Sequence, residues 1–199
     1  MTDPTQARVP DAVRNRNRNR TALIVLAALF FGSFIVAGVL RYSGWKPEGL
    51  RAAGELLQPP TDMRDAQLLR ADGSVYQWNP VERGWRIVVA PAGECGSACD
   101  ELARQLDVVW QLFGRNADRV EVLWIGTPPA ATEGRREFVA IQPVPGLRER
   151  LPRVDGAPGE PSGLPVYVID PNGFVILRYP AGFDPGDLRT DMARLLRLR

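Results

Sequence analysis

A run of 20 residues without a single charge, Thr21 to Leu40 (TALIVLAALFFGSFIVAGVL), divides this 199-residue chain before any other pattern is considered. A helix over that run, at about 1.5 Å rise per residue, spans roughly the 30 Å of a bilayer core. The sequence therefore predicts a basic arm over 1–20, one transmembrane helix over 21–40, a linker over 41–62 and a globular domain over 63–199. A cleaved signal peptide shares the basic-then-apolar order, but its apolar region is usually about 7–15 residues and a small-residue A-x-A site closes it. Neither holds here, so the run reads as a retained anchor. Arg8, Arg14, Arg16, Arg18 and Arg20 precede it, while Arg41, Lys46 and Arg51 follow it. The positive-inside bias puts the N-terminus in the cytoplasm and the domain across the membrane. In a bacterium that is a periplasmic domain tethered to the inner membrane, with Tyr42 and Trp45 as interfacial anchors.

The chain contains no histidine. That excludes a Ser-His-Asp triad, a Cys-His pair, a histidine-containing zinc site and a C-x-x-C-H haem attachment. Lys and Arg total 25 against 23 Asp and Glu; five of the bases and two of the acids lie in residues 1–40, leaving 20 bases and 21 acids beyond. The domain has no basic footprint, so nucleic acid is not an expected partner. The alternating Arg-Asn repeat from Arg14 to Arg20 reads as a solvated, topology-setting arm.

Pro47, Pro59 and Pro60 break up the linker. Ala66–Leu69 and Val75–Trp78 flank Asp72-Gly73 and predict a β-hairpin. Arg86–Ala90 (RIVVA) and Val120–Ile125 (VEVLWI) read as buried strands. Between them, Leu102, Leu106, Val109, Trp110 and Phe113 fall at helical spacing over Ala98–Phe113, and Gly114 stops the helix. Phe138–Ile141 adds a short element to a Pro-, Gly- and Arg-rich crossover. Gly156–Gly163 reads as an exposed loop, and Asp155, Glu160 and Asp184 as solvated surface acids. Leu164–Asp170, the Pro171-Asn172-Gly173 turn and Phe174–Tyr179 form a second hairpin, and Asp187–Leu198 a closing helix. Strand, helix, strand, hairpin, helix is the order of an α/β, thioredoxin-like domain; a flavodoxin-like fold begins the same way.

Cys95 and Cys99, the two cysteines of the chain, lie in GECGSACDE between the first strand and the helix. Free N–H groups and the dipole at a helix N-terminus favour a thiolate, which is both nucleophile and metal ligand. Ser97 or Gly96 serves as the expected N-cap, with Asp100 and Glu101 in the first turn. Together with Glu94 these acids oppose ionisation of a free thiol and favour a bound cation. Two soft sulfurs four residues apart suit Cu(I). A structural disulfide, two unrelated thiols and a site that has lost its activity are the competing readings. A bridge over so short a loop adds little stability through loop entropy, which weakens the purely structural one.

The anchor, the Asp72-Gly73 hairpin, WRIVVAPAGECGSACDELARQL, RVEVLWIG and LPVYVIDPNGFVILRYP before a terminal helix resemble, in that order, the Sco/SenC proteins of cytochrome c oxidase assembly. The likeness spans residues 60–199 and is nearest to their short, divergent, membrane-bound members. It implies a thioredoxin fold on the outer face of the membrane, acting on the copper centre of oxidase subunit II by delivering copper or by reducing that subunit's cysteines. Cys95 and Cys99 then stand as the metal-binding or redox pair, with oxidase subunit II or another assembly factor as partner. The chain departs from the family pattern in two respects. Gly96 and Asp100 follow the cysteines where typical members have proline, and the loop before LPVYVID offers no histidine as third copper ligand. Met63 and Met192 are the alternative soft donors, with linker contact and core packing as their ordinary roles. Pro165 occupies the place where thioredoxin-like redox proteins set a cis-proline against the cysteines, which would make it a client-facing residue. A trans proline opening the strand is the alternative. A general periplasmic thiol-disulfide oxidoreductase and a non-catalytic assembly scaffold remain the rival functions.

Overall fold

The computed structural model describes the backbone of residues 9–43, 52–93 and 95–197, with side chains from residue 19 onward in those ranges. The side chains of Arg8, Arg14, Arg16 and Arg18, and all of Trp45, Lys46, Arg51 and Glu94, lie outside the described residues. The chain divides into two compact units, Met1–Arg51 and Ala52–Arg199.

In the first unit, α1 (Val9–Tyr42) is one helix of 34 residues. It continues through the Arg-Asn repeat because nothing there breaks a helix, and Pro10 sits in the first turn, where its missing N–H costs nothing. The stretch Asn19–Tyr42, with a mean hydropathy of 2.7, is long and apolar enough to cross a membrane. Leu23, Leu26, Phe30, Phe34 and Ile35 are all exposed, which marks a helix without a one-sided core face. Tyr42 is exposed at its end.

The second unit is built on a six-stranded sheet of order β1-β6-β5-β2-β3-β4. Its strands are β1 (Glu55–Asp62), β2 (Trp85–Val89), β3 (Val120–Ile125), β4 (Phe138–Ile141), β5 (Val166–Ile169) and β6 (Phe174–Tyr179). The β2–β3 and β3–β4 pairs are parallel, whereas β2–β5, β5–β6 and β1–β6 are antiparallel. Helices α2 (Gly96–Gln111) and α3 (Pro185–Leu195) complete the unit. Strand alternation sends Trp85, Ile87, Val89, Val122, Trp124 and Val168 to the face carrying Leu102, Leu106, Leu188 and Met192 of the two helices. The opposite face presents Val88, Leu123, Tyr167 and Ile169 to Met63, Leu68, Tyr76, Leu147 and Leu151. Irregular chain, rather than a helix, therefore covers that second face. Met63 and Met192 are fully buried in different clusters, so both pack as core.

Three sequence expectations are corrected. The expected linker is shorter than 41–62, because Glu55–Asp62 is the edge strand β1 and the unit begins at Ala52. Pro59 and Pro60 obscured it; the register with β6 jumps between Leu56 and Thr61, so both prolines sit in a bulge on an edge, where no ladder hydrogen bond is lost. The first hairpin is a turn closed by a single Leu69–Val75 bridge rather than two strands. Of the acids read as solvated surface, Asp155 and Asp184 are exposed as expected, whereas Glu160 is half-buried. Asp155 pairs with Arg148 at 2.6 Å, Asp184 caps α3 by accepting from the Gly186 N–H at 2.8 Å, and Glu160 meets Arg178.

Arg178 is wholly buried on β6 and donates from Nη1 and Nη2 to Glu160 at 2.8 and 2.5 Å. That guanidinium holds the Glu160 carboxyl down at about 2. A depressed folded-state pKa contributes stability that is complete above the ordinary value of about 4.5 and is lost as pH falls toward about 2. The thermal midpoint is thus expected to fall steeply between roughly pH 4.5 and 2, and Glu160→Gln to flatten that fall while lowering the midpoint at neutral pH. Circular-dichroism melts from pH 7 to 2 check this; an unchanged slope in the variant removes Glu160 from the account.

Candidate functional site: a cysteine pair in a cleft

The chain leaves the end of β2 at Val89, turns at Pro91, and enters α2 at Gly96. Cys95 stands at the N-cap position and Cys99 in the first turn, so the two side chains fall on the same end of one helix. They are joined as a disulfide with Cα atoms 5.4 Å apart. Among the described residues no side chain caps α2, so its first N–H groups and the positive end of its dipole are left beside the sulfurs. Neither Ser97 nor Gly96 is the cap, because the helix starts at Gly96, two residues before the Ala98 start that the apolar spacing indicated. Cys99 is buried in the α2–sheet core, while Cys95 is only half-buried. That asymmetry distinguishes an accessible sulfur from a protected one.

Both cysteines line a cleft of about 580 Å³ bounded by Pro91, Gly93, Trp124, Thr127, Pro129 and Pro143. It lies beyond the C-terminal ends of parallel strands β2 and β3, where α/β sheets commonly bind ligands. Among the described residues, Asp100 is the one charged residue along it. Glu101 is exposed and engaged elsewhere, pairing with Arg104 at 2.6 Å and accepting from Gln105 Nε2 at 2.9 Å, and this pairing lowers its carboxyl pKa. Of the three acids expected around the sulfurs, then, Asp100 lines the cleft, Glu101 turns to its neighbours on the helix, and Glu94 lies outside the described residues.

The donor set decides what metal the cleft could hold. Among the described residues, no group of three or more Cys, Asp, Glu or His side chains converges to hold a metal. Two soft sulfurs match two-coordinate Cu(I) once the disulfide is reduced, but not the three-ligand site of the family resembled. Pro165 takes the alternative of a trans proline opening the strand. It is buried, and the only cis peptide bond among the described residues is Gln58–Pro59, so the bond before Pro165 is trans. Sequence reading missed Trp124, which appeared only as part of an apolar strand. Its parity with Val120 and Val122 places it on the α2 face, and its pairing with Val89 places it beside the cysteine loop.

The family model described as a transmembrane-like, thioredoxin-like, C-terminal domain matches residues 85–199. The chain belongs to that family. Its match takes in β2 to α3 and both cysteines, so the pair sits at the strand-to-helix junction of a thioredoxin-like domain. No curated protein matches the chain. Among solved structures it is similar to copper-bound ScoI of Arabidopsis thaliana, with 14% identity over 74% of this chain and 100% of that one, TM-score 0.49. It is also similar to a SCO1/SenC family lipoprotein of Bacillus anthracis, with 15% identity over 70% and 98% and TM-score 0.48. Peroxiredoxin Q of Xanthomonas campestris is similar at 13% identity over 74% and 97%, TM-score 0.44.

Proposed function

We propose that this protein is a membrane-anchored thiol-disulfide factor whose Cys95–Cys99 pair acts on cysteines of a client outside the cytoplasm. The observation that carries the reading is the joined pair at the free N-terminus of α2, facing an open cleft, with one sulfur accessible and the other buried. In the reductive direction the Cys95 thiolate attacks a client disulfide and forms a mixed disulfide, releasing one client thiolate that takes up a proton. Cys99 then attacks Cys95 Sγ, the client leaves as a dithiol, and the pair ends oxidised; two electrons have moved to the client. A dithiol reductant restores the pair by the same exchange. The anchor over 21–40, with the arm on the cytoplasmic side, holds the domain at the periplasmic face of a bacterial inner membrane. The sequence resemblance to Sco/SenC proteins makes oxidase subunit II the proposed client.

Copper is the second reading, favoured by one observation: among the described residues, the charge lining the cleft is the carboxylate of Asp100, which suits a cation. The reduced pair would hold Cu(I) between two sulfurs.

Cys99→Ser in the full chain is expected to trap a covalent, reductant-sensitive complex with the client through Cys95, whereas Cys95→Ser traps none. Absence of any such complex, alongside tight, one-to-one Cu(I) binding by the reduced protein, would replace thiol exchange with copper carriage. Full complementation of a deletion by the double Cys→Ser variant would leave only scaffolding.

A further inference from the structure

The cysteine cleft holds a second feature that thiol exchange by itself does not use. Trp124, the penultimate residue of β3, is fully buried, lines the cleft with Cys95 and Cys99, and packs in the same core cluster as Cys99. Its indole Nε1–H has no acceptor among the described residues. The contrast with Trp110 is direct: that indole, also in the α2 layer, donates to the Val120 carbonyl at 2.8 Å. A buried donor left unsatisfied carries its full desolvation cost, which a stable core ordinarily avoids. In the sheet Trp124 is flanked on both sides, by Val89 and Ala140. The group of this cleft whose acceptor strength changes during the proposed chemistry is sulfur. A disulfide sulfur is a weak acceptor, and breaking the S–S bond frees Cys99 Sγ to turn about its own side-chain torsion and, as the thiolate that makes the resolving attack, to present a stronger one.

We propose that Trp124 is a positioning residue of the redox pair: its indole N–H bonds the sulfur of Cys99 in the reduced state and thereby favours the dithiol over the disulfide. The inference rests on the thiol-exchange reading only in taking the pair to be reversibly reduced; it does not depend on the client. Reduction breaks the Cys95–Cys99 bond and takes two electrons from a dithiol reductant, which becomes its own disulfide; of the two protons it gives up, one goes to Cys95 and the other to solvent, leaving Cys99 as the thiolate. The added hydrogen bond stabilises the product side of this exchange and holds Cys99 in place for the resolving attack on Cys95 Sγ.

The test uses the full chain in detergent, equilibrated in dithiol/disulfide buffers of defined potential. Trp124→Phe keeps an aromatic ring, removes the donor and leaves a small cavity common to both redox states. It is expected to lower the reduced-to-oxidised ratio about tenfold, moving the midpoint by roughly 30 mV to a more negative potential. The oxidised variant should melt below the parent by the cost of the smaller ring alone, since the donor is unspent in that state. A midpoint within a threefold change of the parent overturns the proposal, even if mixed-disulfide trapping succeeds. Trapping could fail while the midpoint still shifts, so the two hypotheses separate. The parent protein gives an independent readout if the variant folds poorly. Of the five indole N–H signals, that of Trp124 should move on reduction, and the move should vanish in Cys99→Ala. Trp78, whose indole also lacks an acceptor among the described residues but lies on the other sheet face under the Arg86 guanidinium, serves as the internal control and should not respond. An unmoved Trp124 signal likewise overturns the assignment.

Discussion

Arg178→Ala is expected to cost the domain about 3–5 kcal/mol, the range for removing one partner of a buried ion pair. For a unit of this size that is a fall of roughly 6–20 °C in Tm. The side chain has no exposed surface, and besides Glu160 it meets Glu55 at 3.5 Å and the Arg153 carbonyl at 3.2 Å. Arg153 itself reaches both carboxylates, pairing closely with Glu55 and lying 3.9 Å from Glu160. One buried guanidinium therefore binds three separated pieces of chain: the edge strand β1, the central hairpin through β6, and the loop around residues 153–160. Without it, two carboxylates face a single remaining cation and a cavity opens under the sheet. Thermal unfolding of Arg178→Ala beside Arg178→Met and the Arg178→Met, Glu160→Gln pair separates charge from volume. The paired variant should recover much of the loss, because it leaves no carboxylate at 160 without its partner. A loss under about 1 kcal/mol for the alanine variant would show that the network contributes no more than surface pairs do.

Asp191→Ala is expected to have an effect of similar size, roughly 3–5 kcal/mol, for a different reason. The carboxylate is buried on α3 and accepts from the Ala53 N–H at 2.7 Å, the Gly54 N–H at 3.0 Å and the Tyr179 hydroxyl at 2.9 Å. Burial and the neighbouring Asp191 charge push the Tyr179 phenol well above its ordinary value, so it remains a donor at any physiological pH. Alanine would leave three donors without their acceptor. The consequence is local as well as global, since Ala53 and Gly54 begin the folded unit. Native-state hydrogen exchange should show those two amides losing protection first, with β1 following. Asp191→Asn keeps one acceptor oxygen and should lose less. Gly54 reports on the same contact: a Cβ there would sit 2.5 Å from the Tyr179 ring, so Gly54→Ala must displace the ring that Asp191 holds. Unchanged protection at Ala53 and Gly54 in Asp191→Ala would remove the carboxylate from this role.

The cysteine pair was legible because its spacing and its place between a β-branched run and an amphipathic helix are local properties. So were β3, β4 and β6, whose bounds at Val120–Ile125, Phe138–Ile141 and Phe174–Tyr179 coincide with their apolar patterns. The helix boundary at the site was harder to read. Polar residues after Cys95 resembled caps and a first turn, yet α2 begins at Gly96 and Cys95 takes the cap position. That single shift moves Asp100 and Glu101 past the first turn. Trp124 and Pro165 were invisible as site features for another reason: an unspent indole donor and a buried proline are properties of surroundings, not of neighbours in sequence.

The sequence by itself determined the split between an apolar 20-residue run and an α/β domain, the order of the domain's elements, and the absence of any histidine for catalysis or metal binding. Periodicity, turn chemistry and residue inventory act over a few positions, and a reader of the chain can apply them directly. Only the tertiary structure decided that Glu55–Asp62 is a strand, that Glu160 belongs to Arg178, that Asp191 secures the start of the unit, and which sulfur is accessible. Each of these depends on groups brought together across long stretches of chain, up to 138 residues for Ala53 and Asp191. Burial then gives such contacts their strength, because a charge or donor removed from water must find its partner within the fold.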